Sequence, residues 1–334
     1  MPEGFTPLLL VVLGLAIAFD YINGFHDTAN AIATSVSTRA LKPGYAIVMS
    51  AVANFVGALT GTAVAETVGA GLVDPAIVES QTLIAAALVG AIAWNLLTWR
   101  LGIPSSSSHA LIGGLLGAAV VAAGFGGWQM DGILNKVLVP LVGSPIIGFI
   151  VGLLLMGLLF NVFRRAHPGR LNAVFRRLQV VSAAYMAFSH GSNDAQKTMG
   201  IMTLALLTAG VIDEFTVPLW VILVAASAIS LGTAAGGWRI IKTMGTKVVK
   251  LDPVHGFAAE TTAASVIYGA SSLGMPVSTT HVISSAIMGV GSSDRLKTVR
   301  WGVARSIVTA WILTIPASGI TAAVAYLILN PLLG

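Results

Sequence analysis

The sequence predicts an all-α polytopic membrane protein. Its expected plan is two inverted-topology repeats, with broken helices and hairpin-like half-helices that meet at the membrane midplane. Composition is the first ground for this. The chain has 334 residues, 56% hydrophobic and 9% charged, whereas a soluble domain is about a quarter charged. The second ground is length: the charge-free runs 44–65, 81–99, 137–163, 215–238 and 306–334 each reach the roughly 18 residues a spanning helix needs. Alternating segments of ~10 residues, as in an outer-membrane barrel, are absent. The third ground is duplication. Asn23-Gly24-Phe25-His26-Asp27-Thr28-Ala29-Asn30 is echoed by His190-Gly191-Ser192-Asn193-Asp194-Ala195-Gln196-Lys197, and Gly102-Ile103-Pro104-Ser105-Ser106-Ser107-Ser108-His109 by Gly274-Met275-Pro276-Val277-Ser278-Thr279-Thr280-His281. Two halves that each set a carboxylate and a hydroxyl cluster in apolar surroundings have the layout of a transporter.

Residues 4–19 are apolar and run into Asp20, Asn23 and Asp27 rather than a small-residue cleavage site, so they belong to the first span and not to a signal peptide. The following loops alternate in charge. Arg39 and Lys42 are basic, Asp74 and Glu79 acidic, Arg100 basic, and Trp128 with Asp131 nearly neutral. The run Arg164, Arg165, Arg170, Arg176, Arg177 is strongly basic. Asp213 and Glu214 are acidic again, and Arg239 to Lys250 and Arg295 to Arg305 are basic. Placing basic loops in the cytoplasm gives about ten crossings with both termini outside. The expected division is repeat 1 over 1–163, a cytoplasmic basic linker over 164–177, and repeat 2 over 178–334. Five crossings per half is odd, which inverts the second half. Equivalent loops accordingly change sign: basic after the first motif in half one, acidic after it in half two.

The net charge of +5 sits in these loops and reflects topology; nucleic acid is not an expected partner, and the lipid bilayer is. With no cysteine, disulfides and thiolate metal sites are excluded. No HExxH or GxSxG pattern is present, so an enzyme is not expected.

The first motif pair is expected to interrupt its helices at Asn23-Gly24 and His190-Gly191, with Asp27 and Asp194 at the breaks. A carboxylate at membrane depth costs ~3 kcal/mol and needs a cation, a proton or a lysine. Amide and carboxylate oxygens suit a hard cation; capping the next helix is the structural alternative. In the second pair, proline ends one segment and hydroxyls open the next, where free N–H groups and a positive dipole make an oxyanion site. Two such ends, one per half, can hold a tetrahedral anion from both sides. His109 and His281 are expected to orient hydroxyls or backbone there, Glu66 to be interfacial, and Glu260 either to couple a cation or to pair structurally. Lys197, at the place matching Asn30, can neutralise Asp194, contact the anion or stand in for a cation. Gly57/Gly61 and Gly148/Gly152 fit close helix contacts.

These motifs, in repeat order along nearly the whole chain, resemble the inorganic phosphate transporter (PiT) family. The resemblance implies ion-coupled phosphate uptake by an inverted-repeat carrier, elevator-like or rocking, in the cytoplasmic (inner) membrane. It places Asp27, Asn30, Asn193 and Asp194 at the substrate and cation core, where Na+ can bind, and matches Glu66 and Glu260 to the family's acidic positions. Phosphate contacts are expected from Ser105, Ser106, Ser107, Ser108, Ser278, Thr279, Thr280, Thr28 and Lys197. The coupling cation is expected at Asp27, Asn30, Asn23, Asn193, Asp194, Gln196 and Glu260. The sodium-coupled branch ends its second motif in Asn. Gln196-Lys197 stands here instead, which resembles the bacterial low-affinity branch and tilts the expectation toward H+ over Na+, with metal–phosphate as a candidate cargo. A homodimer is an open expectation. Sulfate carriage by the same fold and an anion channel are the alternatives.

Overall fold

The structure, a computed structural model, describes residues 5–73, 80–294 and 296–333. Asp74, Glu79 and Arg295 lie outside the described residues. Among the described residues thirteen α-helices follow in order: α1 Pro7–Ser37, α2 Pro43–Ala58, α3 Ala63–Ala70, α4 Gln81–Leu101, α5 Ser107–Ala123, the single turn α6 Met130–Gly132, α7 Val139–Val162, α8 Pro168–Thr208, α9 Leu219–Ala235, α10 Trp238–Lys242, α11 Pro253–Ser272, α12 Thr279–Asp294 and α13 Trp301–Leu333. Among the described residues the only β pairing is one antiparallel bridge, Val73 to Trp128.

Among the described residues, five helical stretches are long and apolar enough to cross a membrane, and two bent pairs raise this to as many as seven. The pairs are α2 with α3, bent by 74°, and α9 with the segment 238–247, bent by 61°. The apolar run 44–65 is therefore two helices rather than one straight span. Of the rest, α8 and α11 carry Asp194, Lys197 and Glu260, and α12 has only 16 residues. With these three there are ten helical units among the described residues, five in each half.

Local chemistry sets the helix starts. Thr6 accepts the Leu9 N–H ahead of Pro7, and Asp252 accepts those of Val254 and His255 ahead of Pro253; proline tolerates the first turn because its missing N–H has no partner there. His167 Nδ1 accepts the Gly169 N–H ahead of Pro168. This cap starts α8 inside the segment expected as a linker, so 168–177 is helical.

The halves exchange partners reciprocally. Helix α5 packs on α13 and α12 on α7, while α1 packs on α9 and α8 on α2. Glycines permit the close approach. A Cβ on Gly24 would lie 2.2 Å from Ile229 O, and one on Gly191 2.1 Å from Asn54 O. Gly57 meets Phe188, and Gly148 and Gly152 meet α12, so these small-residue contacts lie within one chain.

Loop contacts tie neighbouring helix ends together. Arg239 donates to Arg100 O and lies 5.3 Å over the Trp99 ring, and Arg300 N–H donates to Val248 O. Gln129 N–H donates to Leu72 O, and Gln81 donates to Ala205 O.

Candidate functional site

The breaks occur at only one of the two motif pairs. Helices α1 and α8 run unbroken through 23–30 and 190–197. The expected interruptions there, and with them Asp27 and Asp194 as helix caps, are corrected. Glycine in these motifs serves helix-to-helix contact: Gly24 and Gly191 are filled by neighbouring backbone, and that packing outweighs their poor helix propensity.

The second pair does break. Gly102 (φ +67°) ends α4 and Gly274 (φ +66°) follows α11. This left-handed conformation suits glycine, and proline follows two residues on in each case. Ser106 then accepts the His109 N–H and Ser278 the His281 N–H, both at 3.2 Å. Each thus caps its own half-helix. The two tips meet: Ser108 Oγ donates to Val277 O at 3.3 Å, and the His109 and His281 rings lie 4.7 Å apart. His281 also stacks on Trp311 at 3.9 Å. His109 Nδ1 and His281 Nε2 have no hydrogen-bond partner, so the expected orienting of hydroxyls by these rings is replaced by ring packing.

Against the tips lie the two acids, both buried. Asp27 Oδ1 is 2.6 Å from His26 Nδ1 and accepts from Ser107 Oγ at 3.5 Å. His26 Nε2 reaches Thr98 Oγ1 at 3.1 Å, which accepts from Ser105 at 2.8 Å. Asp194 pairs with Lys197 and accepts from Thr279 Oγ1 at 3.0 Å. Lys197 Nζ also donates to Ser108 Oγ at 2.5 Å and Val277 O at 3.0 Å. Asn30 donates to Thr280 at 2.9 Å and Thr279 at 3.3 Å. His190 Nε2 lies 3.0 Å from Asp194 Oδ2 and 3.9 Å from Asp27 Oδ2. Its Nδ1 is 3.0 Å from Asn54 Oδ1.

The structure thus gathers Asp27, Asn30, Asp194, Lys197, Ser105, Ser107, Ser108, Thr279 and Thr280. Other expected residues are turned to different partners. Thr28 donates to Gly24 O and Thr233 O. Gln196 accepts from the Val64 N–H and donates to Ser192 O. Asn193 braces the second break through Ser271 and Met275 O. Asn23 is buried with its Oδ1 unpartnered. Glu260 forms a separate buried cluster, accepting from Thr34, Gln179 at 3.1 Å and Ser182 at 2.5 Å. Glu66 is exposed beside a cleft of about 480 Å³ that also contains Lys136. His26, Thr98 and His190 entered the sequence reading only as bystanders. For His190 the signal was present, since it matches Asn23 across the repeat.

In this cluster two carboxylates face one ammonium, two histidine rings and the half-helix ends. Asp27, His190 and Asp194 offer ligand atoms within 4.8 Å of one another, a set that could hold a metal ion.

The profile of the Phosphate transporter family matches residues 23–170 and again 164–322. The chain is 51% identical over 325 residues to a "Probable low-affinity inorganic phosphate transporter" of Bacillus subtilis, covering 97% of each. It is 50% identical over 322 residues to one from Rhizobium meliloti, covering 96% of each. A Mycobacterium tuberculosis relative of the same description is 46% identical over 321 residues, 96% of this chain and 77% of that one. Among solved structures, "The sodium-dependent phosphate transporter" superposes with a TM-score of 0.89 at 26% identity, covering 98% of this chain and 100% of that one.

Proposed function

The chain belongs to the Phosphate transporter family, a family of transporters rather than enzymes, and we propose that it imports inorganic phosphate by symport with a cation across the cytoplasmic membrane, with the proton favoured over sodium. The basic loops face the cytoplasm and both termini face outside. The halves are inverted repeats, and rocking or sliding one against the other opens the shared site to each side in turn. Ser105, Ser107, Ser108, Thr279, Thr280 and the ends of α5 and α12 bind the anion.

One observation carries this reading: Lys197 joins Asp194 to both half-helix tips, through Ser108 Oγ and Val277 O. Its ammonium stands where a coupling metal cation would otherwise meet Asp194, which supports the proton. With Asp27 also ionised and both histidine rings neutral the cluster is net negative, so an entering anion needs a positive companion. That requirement is the physical basis of symport.

Metal–phosphate as cargo is a second reading, favoured by one contact. Asn54 Oδ1 can accept the His190 Nδ1–H, which leaves the Nε2 lone pair facing Asp27 and Asp194. A hydrogen bond from the other ring nitrogen to an amide or carboxylate oxygen orients metal-ligating histidines in this way.

The test is labelled-phosphate uptake by purified protein in liposomes, driven separately by proton and sodium gradients. Uptake that follows the proton gradient, resists excess sulfate and rises with added Mg2+ supports both readings. Uptake that needs sodium and ignores the proton gradient overturns proton coupling. No uptake above empty liposomes overturns transport. Equal rates with Mg2+ or EDTA overturn the metal–phosphate cargo.

A further inference from the structure

Four acids are buried among the described residues: Asp20, Asp27, Asp194 and Glu260. Three have partners. Asp27 has His26, Asp194 has Lys197, and Glu260 has the Thr34, Gln179 and Ser182 donors. Asp20 differs. It is 0% exposed, and neither carboxylate oxygen has a hydrogen-bond partner. The Thr198 hydroxyl of α8 acts on it, but no hydrogen bond of ordinary geometry joins the two, and Asn23 Oδ1 one turn along α1 is unpartnered as well.

The repeat isolates this residue further. At the offset that pairs Asp27 with Asp194, Asp20 corresponds to Ala187, while Lys197 corresponds to Asn30. The duplicated core therefore departs from symmetry by one extra acid and one extra base. The charged and titratable groups acting on Asp20 are Asp194, His190 and Lys197, all on α8. Helix α9, packed against α1, carries no titratable side chain, and that of α4, Arg100, sits at its exposed end. The other titratable groups on helices packed against α1 include Glu260, His255 and Tyr268 of α11, Tyr45 of α2, Arg239 and Lys242 of α10, His109 of α5 and His281 of α12.

We infer that Asp20 is the binding site of the coupling proton, distinct from the anion site and two helical turns from Asp27 along α1. The inference rests on the symport reading above and names the group that reading leaves open. A buried carboxylate without a partner is costly as an anion and tolerable once neutral. Asp20, Asn23 and Thr198 offer four side-chain oxygens, short of the six or more that a calcium or magnesium ion takes. A proton needs only one. The step is simple in balance: a hydronium ion on the outer side gives its proton to the Asp20 carboxylate, and water on the inner side takes it back.

Coupling follows from charge. With Asp20 ionised and the His26 and His190 rings neutral, three carboxylates face one ammonium, and an arriving phosphate adds to the excess. Neutralising Asp20 lowers that repulsion. Phosphate binding and protonation therefore favour each other to the same extent.

The experiment uses wild-type protein, Asp20→Asn and Asp20→Glu in liposomes loaded with a pH-sensitive dye and internal phosphate. Two signals are read: exchange of labelled phosphate, which needs no net proton movement, and acidification of the lumen when external phosphate is added. For Asp20→Asn the expectation is exchange within about threefold of wild type and acidification reduced about tenfold or more. Asp20→Glu, which keeps a proton acceptor, should acidify. Wild-type acidification by Asp20→Asn overturns the inference. So does loss of exchange in an Asp20→Asn protein that remains monodisperse with an unchanged melting temperature, since Asp20 would then belong to the anion site. Wild-type exchange without acidification overturns it while leaving phosphate transport intact. Absence of wild-type exchange removes the transport reading and the inference with it.

Discussion

The Lys197 ammonium lies against the Asp194 carboxylate one helical turn away on α8, and the same ammonium reaches the tips of both half-helices. A single side chain therefore links the acid of the second motif to the hydroxyl clusters of both halves. The repeat gives the first half no such link: Asn30, at the matching position, reaches only Thr279 and Thr280.

Replacing Lys197 by the residue of the other half should expose this difference. Lys197→Asn is expected to make phosphate uptake sodium-stimulated, because Asp194 is left with amide and hydroxyl oxygens and no ammonium. Lys197→Met, which supplies no ligand, should destabilise by about 3–5 kcal/mol, as for a buried charge left alone. Uptake with and without a sodium gradient, and thermal melting in detergent, check the two outcomes. Sodium indifference of Lys197→Asn would remove the role assigned to the lysine.

Asp27→Asn should abolish transport while the protein remains folded in the membrane. The substitution keeps the shape but removes the charge opposite His26 and Ser107. Size-exclusion profile and uptake, measured on one preparation, distinguish this from misfolding. Wild-type uptake would count against the site.

Gly191→Ala should lower the melting temperature, with a loss of about 1–3 kcal/mol from overpacking. The added methyl would come within 2.1 Å of Asn54 O and 2.7 Å of Asn54 Cα, and backbone cannot give way as a side chain can. Gly143→Ala, with nothing within 4 Å of the new carbon, is the control and should melt like wild type.

Asp252, in the loop before α11, gives a pH dependence. Burial pushes its carboxyl up, but the hydrogen bond and charge of His255, with the Val254 and His255 N–H groups, outweigh this and hold it below the usual carboxylate range. Its stabilisation is therefore fully present above about pH 4 and disappears as pH falls through the lowered value. Asp252→Ala should cost about 1 kcal/mol at neutral pH as a lost cap. The difference from wild type should shrink as pH falls toward 3, read as melting temperatures across pH 3–7.

The sequence by itself determined the helical membrane class, the duplication, and the residues of both motif pairs, because hydropathy and repeated polar cores need no knowledge of neighbours. It located the breaks at Pro104 and Pro276 because proline and the hydroxyl caps act locally. The tertiary structure decided what glycine does in the first motifs. Gly24 and Gly191 face backbone from α9 and α2, residues far away in the chain, so helix continuity there depends on packing and not on propensity. It also decided that Lys197 faces Asp194 and both tips, that Thr28 and Gln196 turn elsewhere, and that Glu260 has its own donors from α1 and α8. Side-chain partners across helices follow from three-dimensional approach, which linear spacing does not encode.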